Sequence, residues 1–168
     1  YLAAFYPADS LRQISYTKLS CDIGYVNVAH LNPSDVQAMY SNLQSCPAII
    51  FDMREYPQLN FNEITNVLLP TQIIFDKYIT PDVSYPGTFF WQSAIAGNVG
   101  NPSPYSGKTI LLINQETQSY GEFYTMALSM MPSVQKVGSA GAGADGTVTF
   151  WDLTQNIHTG FPSLGIFY

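Results

Sequence analysis

The fold is decided by the stretch Thr109-Ile-Leu-Leu-Ile-Asn-Gln-Glu-Thr-Gln-Ser-Tyr-Gly-Glu-Phe-Tyr-Thr-Met-Ala-Leu128. Its first five residues are a mostly apolar run that predicts a strand, and the segment from Ser119 to about Met131 predicts an amphipathic helix. Ser119 stands at the junction, where the free N–H groups of a helix start can surround its hydroxyl, so it is a candidate nucleophile. Ser119 and Glu122 also have the spacing of a capping box, in which the two side chains satisfy N–H groups of the helix start.

The rest of the chain alternates short apolar runs with helical patterns. Further strands are predicted at 15–19, 23–28, 47–52, 73–78, 134–137, 147–153 and 165–168, and further helices at 32–44 and 61–69. Asn32, followed by Pro33, is the predicted capping residue of the first helix. Segments rich in Gly and Pro, at 81–87, 97–104 and 138–146, predict turns or exposed loops. This alternation predicts an α/β fold built from layers of strands and helices.

Composition indicates one domain spanning residues 1–168. The chain is 46% hydrophobic, which allows a full core at this length. The net charge is −6 and the six Lys and Arg residues are scattered, so we do not expect a nucleic-acid surface. No apolar run reaches about eighteen residues, so we expect no membrane span. Because the chain starts at Tyr1 without an initiator Met and stops at Tyr168 inside a strand-like run, we expect it to be a piece of a longer protein.

The two cysteines, Cys21 and Cys46, lack the spacing of metal ligands and of a Cys-x-x-Cys motif. Each precedes a strand-like run, so we predict buried free thiols, and a disulfide between them stays open without geometry. The sequence shows no metal-ligand constellation, no phosphate-binding Gly-Lys-Ser/Thr and no dinucleotide fingerprint. We therefore expect no cofactor.

Three segments in order along the chain share a pattern with a known family. They are Ile23-Gly-Tyr-Val-Asn-Val28, then Ile49-Ile-Phe-Asp-Met-Arg-Glu-Tyr-Pro57, and then Leu111-Leu-Ile-Asn-Gln-Glu-Thr-Gln-Ser-Tyr-Gly-Glu-Phe123 running into the glycine-rich Val137-Gly-Ser-Ala-Gly-Ala-Gly-Ala-Asp-Gly146. Together they resemble the C-terminal processing peptidases, the tail-specific and tricorn-like serine proteases. The second resembles the family's strand ending in Asp-Leu-Arg-x-x-Pro-Gly-Gly. The third is similar to the nucleophile segment and return loop of members common in Bacteroidetes-type bacteria.

The resemblance implies a Clp-protease/crotonase-like α/β core in which Ser119 is the nucleophile. It implies that the backbone N–H groups of Tyr120 and Gln58 are the oxyanion donors, although the family has Gly at the place of Gln58, and losing Gly removes conformational freedom. Glu122 matches the family's supporting Glu in the nucleophile helix. Gly121 is a further candidate for a supporting role.

A general base is required because a protonated serine hydroxyl is a poor nucleophile. In the tail-specific branch the base is a Lys in the glycine-rich loop, but that position here is Ala144, so the Ser-Lys dyad is absent. The tricorn-like branch uses a His that precedes the core, ahead of an inserted PDZ domain. We therefore expect a base outside this chain and a PDZ-like domain upstream. Asp145 could bind a substrate amine or orient the missing His, and an Asp before Gly is also a common turn residue.

The remaining polar candidates are interpreted as structural. His30 is interpreted as a surface or core histidine, His158 as a solvated loop residue, and Lys108 and Lys136 as solvated charges at strand ends, with a role as a general base within the chain as the alternative.

Two other features also have plainer interpretations. Asp52 and Arg54 predict a structural pair at the end of a strand. The aromatic run Tyr85-Pro-Gly-Thr-Phe-Phe-Trp91 is expected to cover the sheet, with a peptide-binding cleft as the alternative.

The function we expect is that of a serine endopeptidase core, periplasmic or secreted, with a peptide or protein as substrate. The alternative is an inactive peptide- or ligand-binding module on the same fold, suggested by the departures at Gln58 and Ala144. An acyl-CoA enzyme of the crotonase type is disfavoured, because the chain has no clear basic site for nucleotide phosphates.

Overall fold

A computed structural model describes residues 13–154 and 156–167 of the chain. In order, its strands are β1 (Tyr16–Lys18), β2 (Gly24–Asn27), β3 (Ala48–Asp52), β4 (Ile73–Pro81), β5 (Phe89–Ala96), β6 (Lys108–Ile113), β7 (Val134–Gly138), β8 (Val148–Thr154), β9 (Ile157–Pro162) and β10 (Gly165–Phe167). Its helices are α1 (Val36–Leu43), α2 (Phe61–Leu68) and α3 (Tyr120–Leu128), and short 3₁₀ turns lie at Ser20–Asp22 and Pro33–Asp35.

The central sheet has five strands in the order β1-β2-β3-β6-β7. β1 is antiparallel to β2, while β2, β3, β6 and β7 run parallel. Parallel strands need crossover connections, and in this chain helices supply them. The predicted α/β fold is confirmed.

The helices bury one face each against this sheet. In α1 the buried residues are Val36, Met39, Tyr40 and Leu43, which is the spacing of one face of a helix. The side chains of Ile64 and Leu68 in α2, and of Tyr124 and Leu128 in α3, are fully buried. These side chains join the core residues of the strands in one hydrophobic cluster. Because residues of α3 belong to this cluster, packing holds the helix, and with it its first turn, against the sheet.

The two smaller β units lie apart from the central sheet in hydrogen bonding. One is a three-stranded antiparallel sheet in the order β10-β4-β5, and the other is the β8-β9 hairpin. Every described residue of β8 and β9 is exposed, including Phe150 and Trp151. Neither β5 nor β9 was predicted as a strand.

Several local predictions need correction. α3 ends at Leu128 and does not reach Met131. Asn32 does not cap a helix with its side chain, and its amide donates to the carboxylate of Asp35 instead (3.1 Å). Both cysteines are free, but only Cys46 is buried as predicted, and Cys21 is exposed.

No helix in the described part combines the length and apolar character needed to cross a membrane.

Candidate active site

Three loops meet at one edge of the central sheet. β3, β6 and β7 are parallel, and their last residues lie side by side, with Asp52 opposite Leu112 and Ile113 opposite Gly138. The loops that follow these strands therefore leave the sheet at the same edge, which is where α/β folds place their sites. This edge carries the loop at 53–60, the loop before Ser119 and the glycine-rich return loop.

Thr117 ties the three loops together. Its hydroxyl donates to the carbonyl of Met53 (2.9 Å) and accepts the N–H of Asn114 (3.1 Å). Its carbonyl accepts the N–H of Ala142 in the return loop (2.9 Å). Thr117 is 3% exposed, so these bonds are shielded from water. Nothing in the sequence marks Thr117 as functional apart from its position two residues before Ser119.

Ser119 directly precedes α3 with a strained backbone. Its φ is 49° and its ψ is −123°, a conformation that residues other than glycine rarely adopt. Its N–H donates to the carbonyl of Ala144 (2.9 Å), and its carbonyl accepts the N–H groups of Glu122 (2.8 Å) and Phe123 (3.0 Å). Both backbone groups of Ser119 are thus engaged, which holds the residue in this strained conformation.

The capping-box interpretation of Ser119 and Glu122 is wrong. The Ser119 hydroxyl makes no capping hydrogen bond to the start of α3. The Glu122 carboxylate instead accepts the N–H of Gly143 (2.8 Å) and that of Ala144 (2.7 Å). The hydroxyl is therefore available, and the glutamate holds the return loop.

Two glycines make this loop geometry possible. A Cβ on Gly138 would lie 1.9 Å from the carbonyl oxygen of Ile113, and its φ is +125°. A Cβ on Gly141 would lie 2.8 Å from Glu122 Oε1 and 3.0 Å from the Thr117 carbonyl oxygen. The contact at Gly138 is with backbone and at a positive φ, so the return loop needs glycine there, whereas a side chain at Gly141 would have to displace the Glu122 carboxylate.

The loop at 53–60 packs against the start of α3. The rings of Tyr56 and Tyr120 lie 6.4 Å apart, and the Tyr120 hydroxyl accepts the N–H of Phe61 (3.0 Å). Burial raises the pKa of Tyr120, the Phe61 N–H partly offsets this rise, and Tyr56 adds to it, so the phenol is neutral. A Cβ on Gly121 would lie 3.6 Å from Pro57 Cδ, so this close approach would still admit alanine.

The two predicted oxyanion donors both lie near this contact. Within the described ranges neither the Tyr120 N–H nor the Gln58 N–H donates a hydrogen bond. Tyr120 directly follows Ser119, and Gln58 is exposed and follows the Tyr56 and Pro57 that face α3. The structure thus brings the loop of Gln58 next to α3, and Gln58 itself is not among the residues that line the cleft.

A cleft of about 750 Å³ opens beside Ser119. Its walls are mostly aromatic and aliphatic side chains, among them Tyr56, Phe61, Tyr78, Ile95, Tyr120, Phe123, Phe150 and Ile166. Asp145 lines this cleft and also a smaller cavity of about 400 Å³, which it shares with Glu122 and Lys136. The predicted site residues Ser119, Tyr120 and Asp145 therefore share one cleft.

Asp145 is half-buried at this junction. Its Oδ1 accepts the N–H of Gly146 (2.8 Å), and its Oδ2 is buried with no hydrogen-bond partner in the described part of the chain. Burial raises the pKa of Asp145 to about 6; the Gly146 N–H opposes this rise, and the carboxylates of Glu122 and Asp76 add to it.

Asp52 and Arg54 form the predicted structural pair. Arg54 donates from Nε to Oδ1 (2.8 Å) and from Nη2 to Oδ2 (2.5 Å), and the Tyr25 hydroxyl also donates to Oδ2 (2.8 Å). Burial raises the pKa of Asp52, but the hydrogen bonds from Arg54 and Tyr25 outweigh burial and hold this pKa below its ordinary value. The pair closes the end of β3 and does not line the cleft.

The other candidate bases lie elsewhere. His30 contacts Glu55 (3.1 Å) and His158 contacts Asp152 (2.5 Å), and His158 lies in β9 and not in a loop. Lys108 begins β6, at the opposite end of that strand from Ser119. No His, Lys or Arg of the described residues lines the cleft beside Ser119.

The aromatic run at 85–91 does not line this cleft, and its last three residues are part of β5 itself. Its large side chains are exposed, with Tyr85 at 70% and Trp91 at 65%. Trp91, on β5, contacts Phe167 on β10 across the intervening strand β4 (5.1 Å between rings). Ala94 and Ile95, further along β5, line the cleft in its place. No cluster of three or more metal-binding side chains occurs in the described part.

Comparisons with known proteins bear on the fold. No protein-family model and no curated protein matches the chain. Among solved structures, a candidate peptidase from Parabacteroides merdae superposes with a TM-score of 0.75 at 18% identity, over 90% of this chain and 50% of that one.

Two more solved structures share the fold. A lipoprotein from Streptococcus agalactiae has a TM-score of 0.57 at 15% identity, over 90% of this chain and 57% of that one. The photosystem II D1 C-terminal processing protease has a TM-score of 0.61 at 18% identity, over 86% of this chain and 37% of that one. The chain thus spans 37% to 57% of the length of these three structures. It has a fold like that of the C-terminal processing proteases.

Proposed function

We propose that this chain is the core of a serine-type endopeptidase with Ser119 as its nucleophile. The observation that carries the proposal is the conformation and position of Ser119. This serine has a strained backbone directly before a helix, its hydroxyl does not cap that helix, and it lines a large cleft. Strain of this kind persists where the surroundings enforce it, and it concentrates at active sites.

The chemistry would be acyl transfer. The Ser119 hydroxyl attacks the peptide carbonyl, a base takes its proton, and the backbone N–H groups of Tyr120 and Gln58 stabilise the resulting oxyanion. The amine leaves with a proton, and water then releases the acyl group from Ser119. The start of α3 adds positive backbone potential at the place where negative charge develops.

The general base belongs outside the 168 residues in this proposal. Ala144 occupies the place of the tail-specific lysine, and the described residues supply no His or Lys to the cleft lining. A histidine from a preceding region with a PDZ-like domain, as in the tricorn-like branch, would complete the site. We further propose that the substrate is a peptide or protein and that the protein is periplasmic or secreted. We also propose that it is related to the members of the family found in Bacteroidetes-type bacteria.

The experiment uses a fluorophosphonate probe on the longest natural form of the protein, with the labelled peptide mapped by mass spectrometry. Labelling should occur at Ser119 and disappear in Ser119→Ala, while Ser139→Ala, in the neighbouring return loop, should label normally. The chain alone should label much more slowly, because without its base a serine retains only binding and the oxyanion hole. Labelling that persists in Ser119→Ala contradicts the assignment.

A second candidate, an inactive binding module, rests on a specific observation. The two places where the family pattern supplies a flexible glycine and a base are here Gln58, which is exposed, and Ala144. A folded full-length protein that takes no label at Ser119 would favour this module, with the cleft as its binding site.

A further inference from the structure

The cleft beside Ser119 combines apolar walls with an acidic group. Most of its lining is aromatic or aliphatic, while Asp145 brings a carboxyl into the same cleft. Long side chains with an apolar stem and a polar end suit such a surface, because the stem packs on the walls and the end reaches the polar group. The sign of the charge in the cleft therefore decides whether the cleft favours side chains with a cationic, a neutral or an anionic end.

Among the described residues, the acidic groups near the cleft have no cationic partner. Asp145 accepts the N–H of its neighbour Gly146, and its second oxygen is buried without a donor from residues 13–154 or 156–167. Asp76, on β4, is 2% exposed, and in the same described ranges neither of its oxygens meets a donor at hydrogen-bond geometry. Burial raises the pKa of Asp76, and the backbone N–H groups of Phe167 and Lys77 offset only part of that rise.

The remaining ionisable groups around the cleft do not neutralise Asp145. Glu122, on α3, is also acidic, and its two oxygens are occupied by backbone N–H groups of the return loop. The tyrosines of the lining are Tyr56, Tyr78 and Tyr120. Lys136 lines the smaller cavity and not the cleft, and no other Lys or Arg in the described ranges lines either one.

We propose that Asp145 selects substrates in which the residue entering this cleft is lysine or arginine. This inference rests on the proposed function, because it takes the cleft beside Ser119 as the substrate site. A cationic end would give the Asp145 carboxylate an ionic partner and reduce its repulsion with Asp76 and Glu122. The aromatic walls would also favour a cation over an anion.

The experiment compares peptidyl diphenyl phosphonates on the longest natural form of the protein. These probes react with an activated serine, and the residue nearest the phosphorus is lysine, norleucine or glutamate, with the rest of the peptide unchanged. Norleucine has the length of lysine without its charge. The lysine probe should react about tenfold faster than the norleucine probe, and the glutamate probe should be slowest.

Matched variants locate the preference. In Asp145→Asn the ratio of lysine to norleucine rates should fall to near one, because the shape is kept and the charge is lost. Asp82→Asn, in the loop between β4 and β5, removes one charge outside the cleft and should leave the ratio unchanged. The ratio for the unmodified protein should also rise between pH 5 and pH 7.5 as Asp145 ionises.

Two outcomes would overturn the inference. If a simple fluorophosphonate labels Ser119 but the lysine and norleucine probes react equally, the specificity is wrong while the nucleophile stands. The same conclusion follows if Asp145→Asn keeps the preference for lysine. If the simple probe also fails to label Ser119, the proposed function is wrong and the specificity falls with it.

Discussion

Glu122 and Ala144 are joined by a hydrogen bond of 2.7 Å from the Ala144 N–H to the glutamate carboxylate. The carbonyl of the same Ala144 accepts the N–H of Ser119 (2.9 Å). Glu122 therefore acts on Ser119 through the return loop and not by direct contact. Because the Ser119 backbone is strained, it depends on such external bonds to keep its position.

Replacing Glu122 with glutamine should disturb Ser119 without removing any reactive atom. Glutamine can accept one of the two N–H groups, but its amide then faces the other N–H as a second donor. We expect a loss of about 1–3 kcal/mol in the free energy of unfolding, measured by urea titration, and labelling of Ser119 at least about tenfold slower.

The control for this variant is Glu63→Gln. Glu63 is the third residue of α2 as Glu122 is the third residue of α3, so both changes remove the same charge from a first helical turn. The two glutamines should have different effects, because only Glu122 holds the return loop. Equal labelling rates in the two variants would show that the glutamate clamp does not position Ser119.

Glycine in place of Ser119 should stabilise the protein while abolishing labelling. A non-glycine residue in such a conformation costs about 1–3 kcal/mol, so glycine at this position relieves that strain. The greater conformational freedom of glycine in the unfolded chain offsets up to about 1 kcal/mol of this stabilisation. The net gain should raise Tm by about 2–4 °C per kcal/mol, as measured by calorimetry.

Ser133 offers a comparison, because it too has a positive φ, of 58°, outside the cleft lining. Ser133→Gly should leave labelling of Ser119 unchanged. A Ser119→Gly variant with a lower Tm than the parent would mean that the Ser119 hydroxyl contributes more to stability than the strain costs.

Thr117→Val should be far more damaging than the chemically identical change at Thr125. Valine keeps the shape at position 117 but leaves the Met53 carbonyl and the Asn114 N–H without their partner, at about 1–3 kcal/mol for each buried group. Thr125 donates within its own helix to the Gly121 carbonyl (2.7 Å), so its hydroxyl joins no separate segments. Urea titration should show a cost of less than about 1 kcal/mol for Thr125→Val. Equal losses would refute the role of Thr117 as the tie between the loops.

The sequence was sufficient where structure follows from local pattern. β3 and β6 are short apolar runs, and α3 starts directly after Ser119, so the junction that carries the candidate nucleophile was predictable. The pairing of Asp52 with Arg54 was also predictable, because the two residues are separated by one position at the end of a strand.

The sequence was insufficient where the cause is a contact between distant residues. The Thr117 hydroxyl donates a hydrogen bond to the Met53 carbonyl, 64 positions away, and no pattern in the residues around Thr117 predicts this bond. The Ser-x-x-Glu spacing favoured a capping box. In the structure the Glu122 carboxylate accepts two N–H groups of the return loop instead of one at the start of its own helix. The raised pKa of Asp145 likewise depends on its burial first, and then on Glu122 and on Asp76 of β4, which lie far from it in the sequence.

The pH dependence of stability should carry the signature of Asp145. Its folded-state pKa is about 6, above the ordinary 3.8, so the folded protein keeps a proton that the unfolded chain releases. The resulting stabilisation is complete below about pH 3.8 and is lost as the pH rises through 6. Asp76, whose pKa burial also raises, acts in the same direction. Asp52 acts in the opposite direction and loses its contribution only at lower pH, because its pKa lies below the ordinary value.

Urea titrations between about pH 4.5 and pH 7.5 should therefore show falling stability with rising pH in the parent protein. Asp145→Asn should be more stable than the parent at the upper end of this range and should show a shallower slope, with the residual slope due to Asp76. Asp82→Asn should keep the slope of the parent. A parental slope that survives intact in Asp145→Asn would assign the titration to another carboxyl and remove the electrostatic basis for lysine or arginine recognition in the cleft.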